Sequence, residues 1–143
     1  MIMNNILTVK NLVKNYHSKD GETVAIDNLS FNVNEGEFIA IVGPSGCGKS
    51  TLLSILCGLE DKTSGEITFP IKSKQKLGYM LQQDSLFPWL TILDNCLLGL
   101  KVEGNITEES KNKVIKLLDT YGLSEFKDKY PSSLSGGMKQ RVG

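Results

Sequence analysis

Nowhere do the 143 residues approach the ~20 consecutive apolar positions that a membrane-spanning helix needs, so any contact with a membrane has to come through a partner. Residues 1–7 lack a charged start followed by a long apolar core, and they do not read as a secretory signal. Cysteine is scarce. Cys47, Cys57 and Cys96 are odd in number and match no metal spacing, which excludes a disulfide framework and points to reduced thiols in a cytosolic protein. Charge of one sign is missing as well, because 16 Lys and Arg balance 16 Asp and Glu. The loose set Lys72, Lys74 and Lys76 reads as a solvated surface rather than a basic stripe, so nucleic acid is not an expected partner. There is no internal repeat and no low-complexity linker, and the length leaves room for one domain or part of a larger one.

What the chain does have is two glycine-containing motifs. Gly43-Pro44-Ser45-Gly46-Cys47-Gly48-Lys49-Ser50-Thr51 fits G-x-x-x-x-G-K-[ST], in which glycines let backbone N–H groups close around phosphate and the lysine reaches the β and γ phosphates. Such a loop binds nucleoside triphosphate with magnesium. Its context fits. The apolar run Glu37-Phe38-Ile39-Ala40-Ile41-Val42 predicts a buried strand leading into it. Leu52, Leu53, Ile55, Leu56 and Leu59 recur at helical spacing after it, with Gly58 as the stop. The start of that helix is expected to hold the β phosphate, with Lys49 adding a mobile charge. The Ser50 hydroxyl is placed to ligate Mg²⁺, and Thr51 to hydrogen-bond toward the α phosphate. Cys47, at the crest beside Lys49, is expected to be reactive if exposed, and its alkylation to weaken ATP binding.

Elsewhere the pattern is coarser. Short strands are expected at 6–9, 23–26 and 29–33, separated by Lys19-Asp20-Gly21 and Asn34-Glu35-Gly36, which together predict an antiparallel layer. Further strands are expected at 66–69 and 77–80. From about Leu90 the period becomes helical, with Thr91 capping a helix to about Lys101 and Thr107 another to about Tyr121. Val114, Leu117, Leu118 and Tyr121 form one face of the latter, read as core packing.

The second glycine motif narrows the choice among phosphate-loop proteins. Leu134-Ser135-Gly136-Gly137-Met138-Lys139-Gln140-Arg141 closely resembles the signature sequence of ATP-binding cassette (ABC) ATPases. Taken alone, Ser135-Gly136-Gly137 also reads as a plain helix cap and turn. The resemblance implies an α/β P-loop NTPase with an N-terminal antiparallel β layer and a helical subdomain, ATP and Mg²⁺ as ligands, and a head-to-tail dimer. In that dimer Leu134, Ser135, Gly136, Gly137, Met138 and Gln140 of one subunit would close over ATP held by the loop of the other. Residues 1–89 would carry the phosphate loop and Q-loop, about 90–136 the helical subdomain, and 134–143 the signature and the start of its helix. Gln82 resembles the Q-loop glutamine, which contacts Mg²⁺ and the attacking water, ahead of Gln83. Tyr16 matches the aromatic that stacks on adenine, against the plainer reading of a strand-end tyrosine.

Leu86-Phe87-Pro88-Trp89-Leu90-Thr91-Ile92-Leu93-Asp94-Asn95 resembles the subgroup serving importers of nitrate, sulfonate and taurine. That resemblance implies an energy-coupling subunit on the cytoplasmic, inner face of the membrane, bound to a permease and served indirectly by a periplasmic or lipoprotein solute-binding protein. Trp89 is then the expected permease anchor, and its rival reading is a partly buried core tryptophan. In the family an apolar strand ending in Asp-Glu and a switch histidine follow the signature. Neither is in this sequence, whose single histidine is His17, so the later part of the sheet is expected to be missing and the chain inactive as an ATPase alone. The alternatives are a non-hydrolytic nucleotide-binding or interaction module, and a soluble ABC ATPase outside transport.

Overall fold

The computed structural model describes residues 4–19, 21–69, 77–81 and 85–143. The chain divides into two compact units, Met1–Tyr79 and Met80–Gly143. In the first, β1 (Asn5–Ser18) and β2 (Gly21–Asn34) form a long antiparallel hairpin, and β3 (Ser64–Thr68) pairs antiparallel with the other edge of β1. The segments expected at 23–26 and 29–33 are therefore parts of one strand. Between them Asn28 has φ 50°, and across the hairpin Asn11 has φ 49°, a left-handed backbone that asparagine tolerates. The ladder slips beside both, as bulges require. At Asn11 the Ser30 hydroxyl accepts from the backbone N–H at 2.8 Å and donates to Oδ1 at 3.2 Å, satisfying groups that the slip removes from the ladder.

Helix α1 (Lys49–Leu56) lays Leu52 and Ile55 on the hairpin, where they are buried with Val9, Leu12 and Ile26. Each such aliphatic side chain stabilises the unit by about 1.5–3 kcal/mol relative to exposure. Gly58 ends the helix as expected. Its φ of 71° lets its own N–H reach the carbonyl of Ile55 at 3.1 Å and that of Leu59 reach Ser54 at 2.9 Å.

Two expected strands are corrected. Residues 37–42 are irregular, with Phe38 95% and Val42 91% exposed. A strand of a parallel sheet needs hydrogen-bonding neighbours as well as covered faces, and among the described residues the only sheet is β2-β1-β3, which pairs with no part of 37–42. Residues 77–80 are likewise irregular, with Leu77 and Met80 exposed. Apolar content alone did not supply either with a partner.

The second unit holds α2 (Ile92–Val102), α3 (Glu108–Thr120) and α4 (Gly136–Val142), with short 3₁₀ turns at Ser124–Phe126 and Pro131–Ser133. Thr91 caps α2 by accepting from Asp94 N at 3.1 Å, and the free N–H groups of Ile92 and Leu93 donate to the carbonyls of Lys129 and Lys127, both at 2.9 Å. Thr107 and Ser110 cap α3 reciprocally, each hydroxyl accepting from the other's N–H at 3.1 and 2.8 Å. Ile92, Leu118, Leu123 and Leu134 form the core. The α3 stripe is only partly core. Leu118 is buried and Val114 packs beside it, whereas Leu117 and Tyr121 are exposed.

Candidate functional site

The phosphate loop is built by a left-handed residue. Gly48 caps α1 with φ 87°, and a Cβ there would lie 2.3 Å from the Ala25 carbonyl oxygen of β2. Only glycine lets the loop turn into the helix while pressed against the sheet. With no side-chain cap at this end, the first N–H groups of α1 remain available to an anion, and the helix dipole favours negative charge there. The Lys49 ammonium folds back over the loop and donates to the carbonyls of Gly43 at 2.9 Å and Pro44 at 2.7 Å, with Cys47 Sγ at 3.4 Å. Loop, lysine and helix start thus converge. Ser45, Gly46, Cys47 and Ser50 are exposed along the same turn, and Thr51 is half-buried.

Tyr16, at the far end of β1, comes to this site. Its hydroxyl is 3.4 Å from Thr51 Oγ1, and Lys14 Nζ lies 4.8 Å from its ring centroid. Lys14 also donates to the Asp61 carbonyl at 2.7 Å and pairs with Glu60 at 3.1 Å. The Glu60 carboxyl is held below its ordinary range by a hydrogen bond from Tyr16 first and by Lys14 second. Neither Lys14 nor Glu60 carries a sequence signal. Lys14 lies two residues from Tyr16 on β1, whereas Glu60 is brought to both by the turn after α1, and only tertiary structure joins it to them.

In the second unit the signature divides between core and surface. Leu134 is buried, while Ser135, Gly136, Gly137 and Gln140 are exposed. Ser135 caps α4 by accepting from Met138 N at 3.4 Å, as the plain helix-start reading expects, and a Cβ at Gly136 or Gly137 would meet nothing within 4 Å. Among the described residues, the two glycines therefore serve no packing need. Met138 packs against the core, and Arg141 fixes the helix by donating to the Tyr121 carbonyl at 2.8 Å.

Trp89 is 69% exposed, not a core residue, and stands edge-on to Phe87 with ring centroids 5.2 Å apart. Gln82 and Gln83, and the lysines at 72, 74 and 76, lie outside the described residues. Among the described residues no cluster of His, Cys, Asp and Glu could hold a metal, and no helix is long and apolar enough to cross a membrane. Magnesium here would be held with the nucleotide, through hydroxyls such as that of Ser50.

The family described as ABC transporter matches residues 26–143. Over 140 residues the chain is 45% identical to the uncharacterized ABC transporter ATP-binding protein YtlC of Bacillus subtilis (strain 168), covering 95% of this chain and 54% of that protein. It is 41% identical to the spermidine/putrescine import ATP-binding protein PotA of Spiroplasma citri, covering 96% of this chain and 40% of the relative. Against an aliphatic sulfonates import ATP-binding protein SsuB of Bacillus cereus the identity is 39%, over 92% and 53%. The chain spans about half the length of the curated relatives it matches. Among solved structures, the dimeric post-hydrolysis state of the ATP-binding cassette MJ0796 bound to ADP and Pi superposes with a TM-score of 0.83 at 34% identity, over 96% of this chain and 66% of that one.

Proposed function

The chain belongs to the ABC transporter family and has the P-loop fold of its ATPase cassettes, and from that premise we propose that it binds ATP as the energy-coupling part of a small-solute importer. The observation that carries the proposal is the convergence of Lys49, the Gly43–Pro44 carbonyls and the uncapped start of α1, with Tyr16 beside Thr51. Nucleotide phosphate would replace the neutral carbonyls around the lysine with charged oxygens, which hydrogen-bond about twice as strongly. The exposed N–H groups of α1 would bind the same anion, and the Tyr16 ring would stack on the base. Mg²⁺ bound with the nucleotide supplies charge neutralisation, and Ser50, with Gln82, would orient it.

Relatives named for spermidine/putrescine and aliphatic sulfonate import support the import role, and the segment from Leu86 to Asn95 favours the nitrate, sulfonate and taurine type. The proposed partners are a permease, through which the chain would sit on the inner face of the membrane, and a second ATPase subunit facing the exposed Ser135, Gly136 and Gly137. A solute-binding protein would act through the permease.

Titration with a fluorescent ATP analogue and Mg²⁺ tests the reading. Saturable binding is expected, and Lys49→Ala should weaken it roughly ten- to a hundredfold, the worth of one charge-assisted contact. Equal affinity in the two proteins would remove the basis for the proposal.

A further inference from the structure

Trp89 is the one tryptophan of the chain, and a large aromatic ring held in water is costly unless something covers it. The turn that displays it is unusually well fastened. Leu90 N donates to the Phe87 carbonyl at 3.1 Å, closing a turn with Pro88 at its second position, where the ring presets the backbone. The Asn95 side chain then grips the turn from α2. Its Oδ1 accepts from Phe87 N at 2.7 Å, and its Nδ2 faces three carbonyl oxygens, those of Phe87 at 3.2 Å, Leu90 at 3.2 Å and Thr91 at 2.9 Å. One amide thus imitates a strand partner for Phe87 and joins both ends of the turn to the helix. The Phe87 ring, held by the same bonds, meets Trp89 edge-on.

We propose that Asn95 is a positioning residue for the docking surface: its amide fixes the 87–91 turn so that Trp89 projects ready-made to insert into the membrane partner. This rests on the reading of Trp89 as the permease anchor, and it adds the group that orders it. Asparagine is required for this role because it alone at that length offers an acceptor to one N–H and donors to carbonyls on the same planar group. Aspartate keeps the acceptor and loses the donors, setting a carboxylate against three carbonyl oxygens. An anchor that is already immobile loses less freedom on docking, a saving that corresponds to roughly two- to tenfold in affinity per fixed side chain.

The sole tryptophan makes the clamp measurable without a partner. Fluorescence anisotropy of Trp89 should fall in Asn95→Ala and in Asn95→Asp while far-UV circular dichroism and ATP-analogue affinity stay as in the parent, Asn95→Asp guarding against simple unfolding of the alanine variant. Binding to inverted membrane vesicles that carry the permease should weaken roughly two- to tenfold in Asn95→Ala. In a Trp89→Ala background the same change should have no further effect, because Asn95 acts through Trp89. Unchanged anisotropy, or an equal loss in both backgrounds, overturns the inference alone. If Trp89→Ala leaves vesicle binding intact, the docking reading falls and the inference with it.

Discussion

At Gly48 a single hydrogen in place of a methyl group decides whether the phosphate loop can form. A Cβ there would lie 2.3 Å from the Ala25 carbonyl oxygen in a left-handed backbone, so Gly48→Ala must move either the loop or β2. We expect ATP-analogue binding to be lost and the thermal midpoint of the first unit to fall, with a cost above ~1 kcal/mol from the conformation alone, checked by titration and melting of the same sample. The thiols differ for a related reason. Cys47 is exposed next to the Lys49 ammonium, Cys57 is half-buried, and burial pushes the Cys96 thiol up, its Sγ lying 3.9 Å from the Val142 carbonyl. Timed alkylation followed by mass spectrometry should label Cys47 first and Cys96 last, and the singly labelled chain should bind the ATP analogue more weakly. The loop residues were legible as a motif because their spacing is local. Lys14 and Glu60, which hold Tyr16, were not, since nothing in either neighbourhood announces a partner 46 positions away along the chain.

Helix ends were the most legible elements. Thr91, Thr107 and Gly58 mark boundaries through bonds made within a few residues, so side-chain chemistry at those positions is sufficient to predict them. At the start of α2 the Asp94 carboxylate accepts from Lys101 at 2.6 Å and from the Thr91 hydroxyl at 2.8 Å, and these, Lys101 first, hold it below its ordinary value. A carboxyl depressed in the folded state stabilises above its unfolded value and loses that contribution as pH falls through the folded one. Asp94→Asn should therefore lower the melting midpoint of the second unit at neutral pH, and the gap to the parent should close on acidification below about 3.9. A pH-independent gap would assign the effect to packing instead. The α3 stripe was less legible. Its helical period is correct, yet Leu117 and Tyr121 stay exposed, because a period identifies a face and not the surface that covers it.

Over the whole molecule, the run 37–42 leaves Phe38 and Val42 almost fully in water. Contiguous apolar surface of this kind promotes association. Light scattering should rise with concentration, and Phe38→Lys with Val42→Lys should suppress it; scattering that ignores both changes would place the sticky surface elsewhere. The antiparallel layer, the helical part and the loop-to-helix order were readable from composition and spacing, and the α/β class was implied by the resemblance of the two glycine motifs. By itself the sequence determined the features that close over short distances: the phosphate-loop turn, the helix caps, the signature's cap at Ser135 and the hairpin. Tertiary structure decided what needs a second surface, namely that 37–42 pairs with no strand of the β2-β1-β3 sheet, that Tyr16 meets Thr51, and that Asn95 fastens Trp89 in the open. The difference is physical. A cap or a turn completes its own hydrogen bonds, whereas a strand, a stacked ring or a displayed tryptophan depends on groups that chain folding has to bring to it.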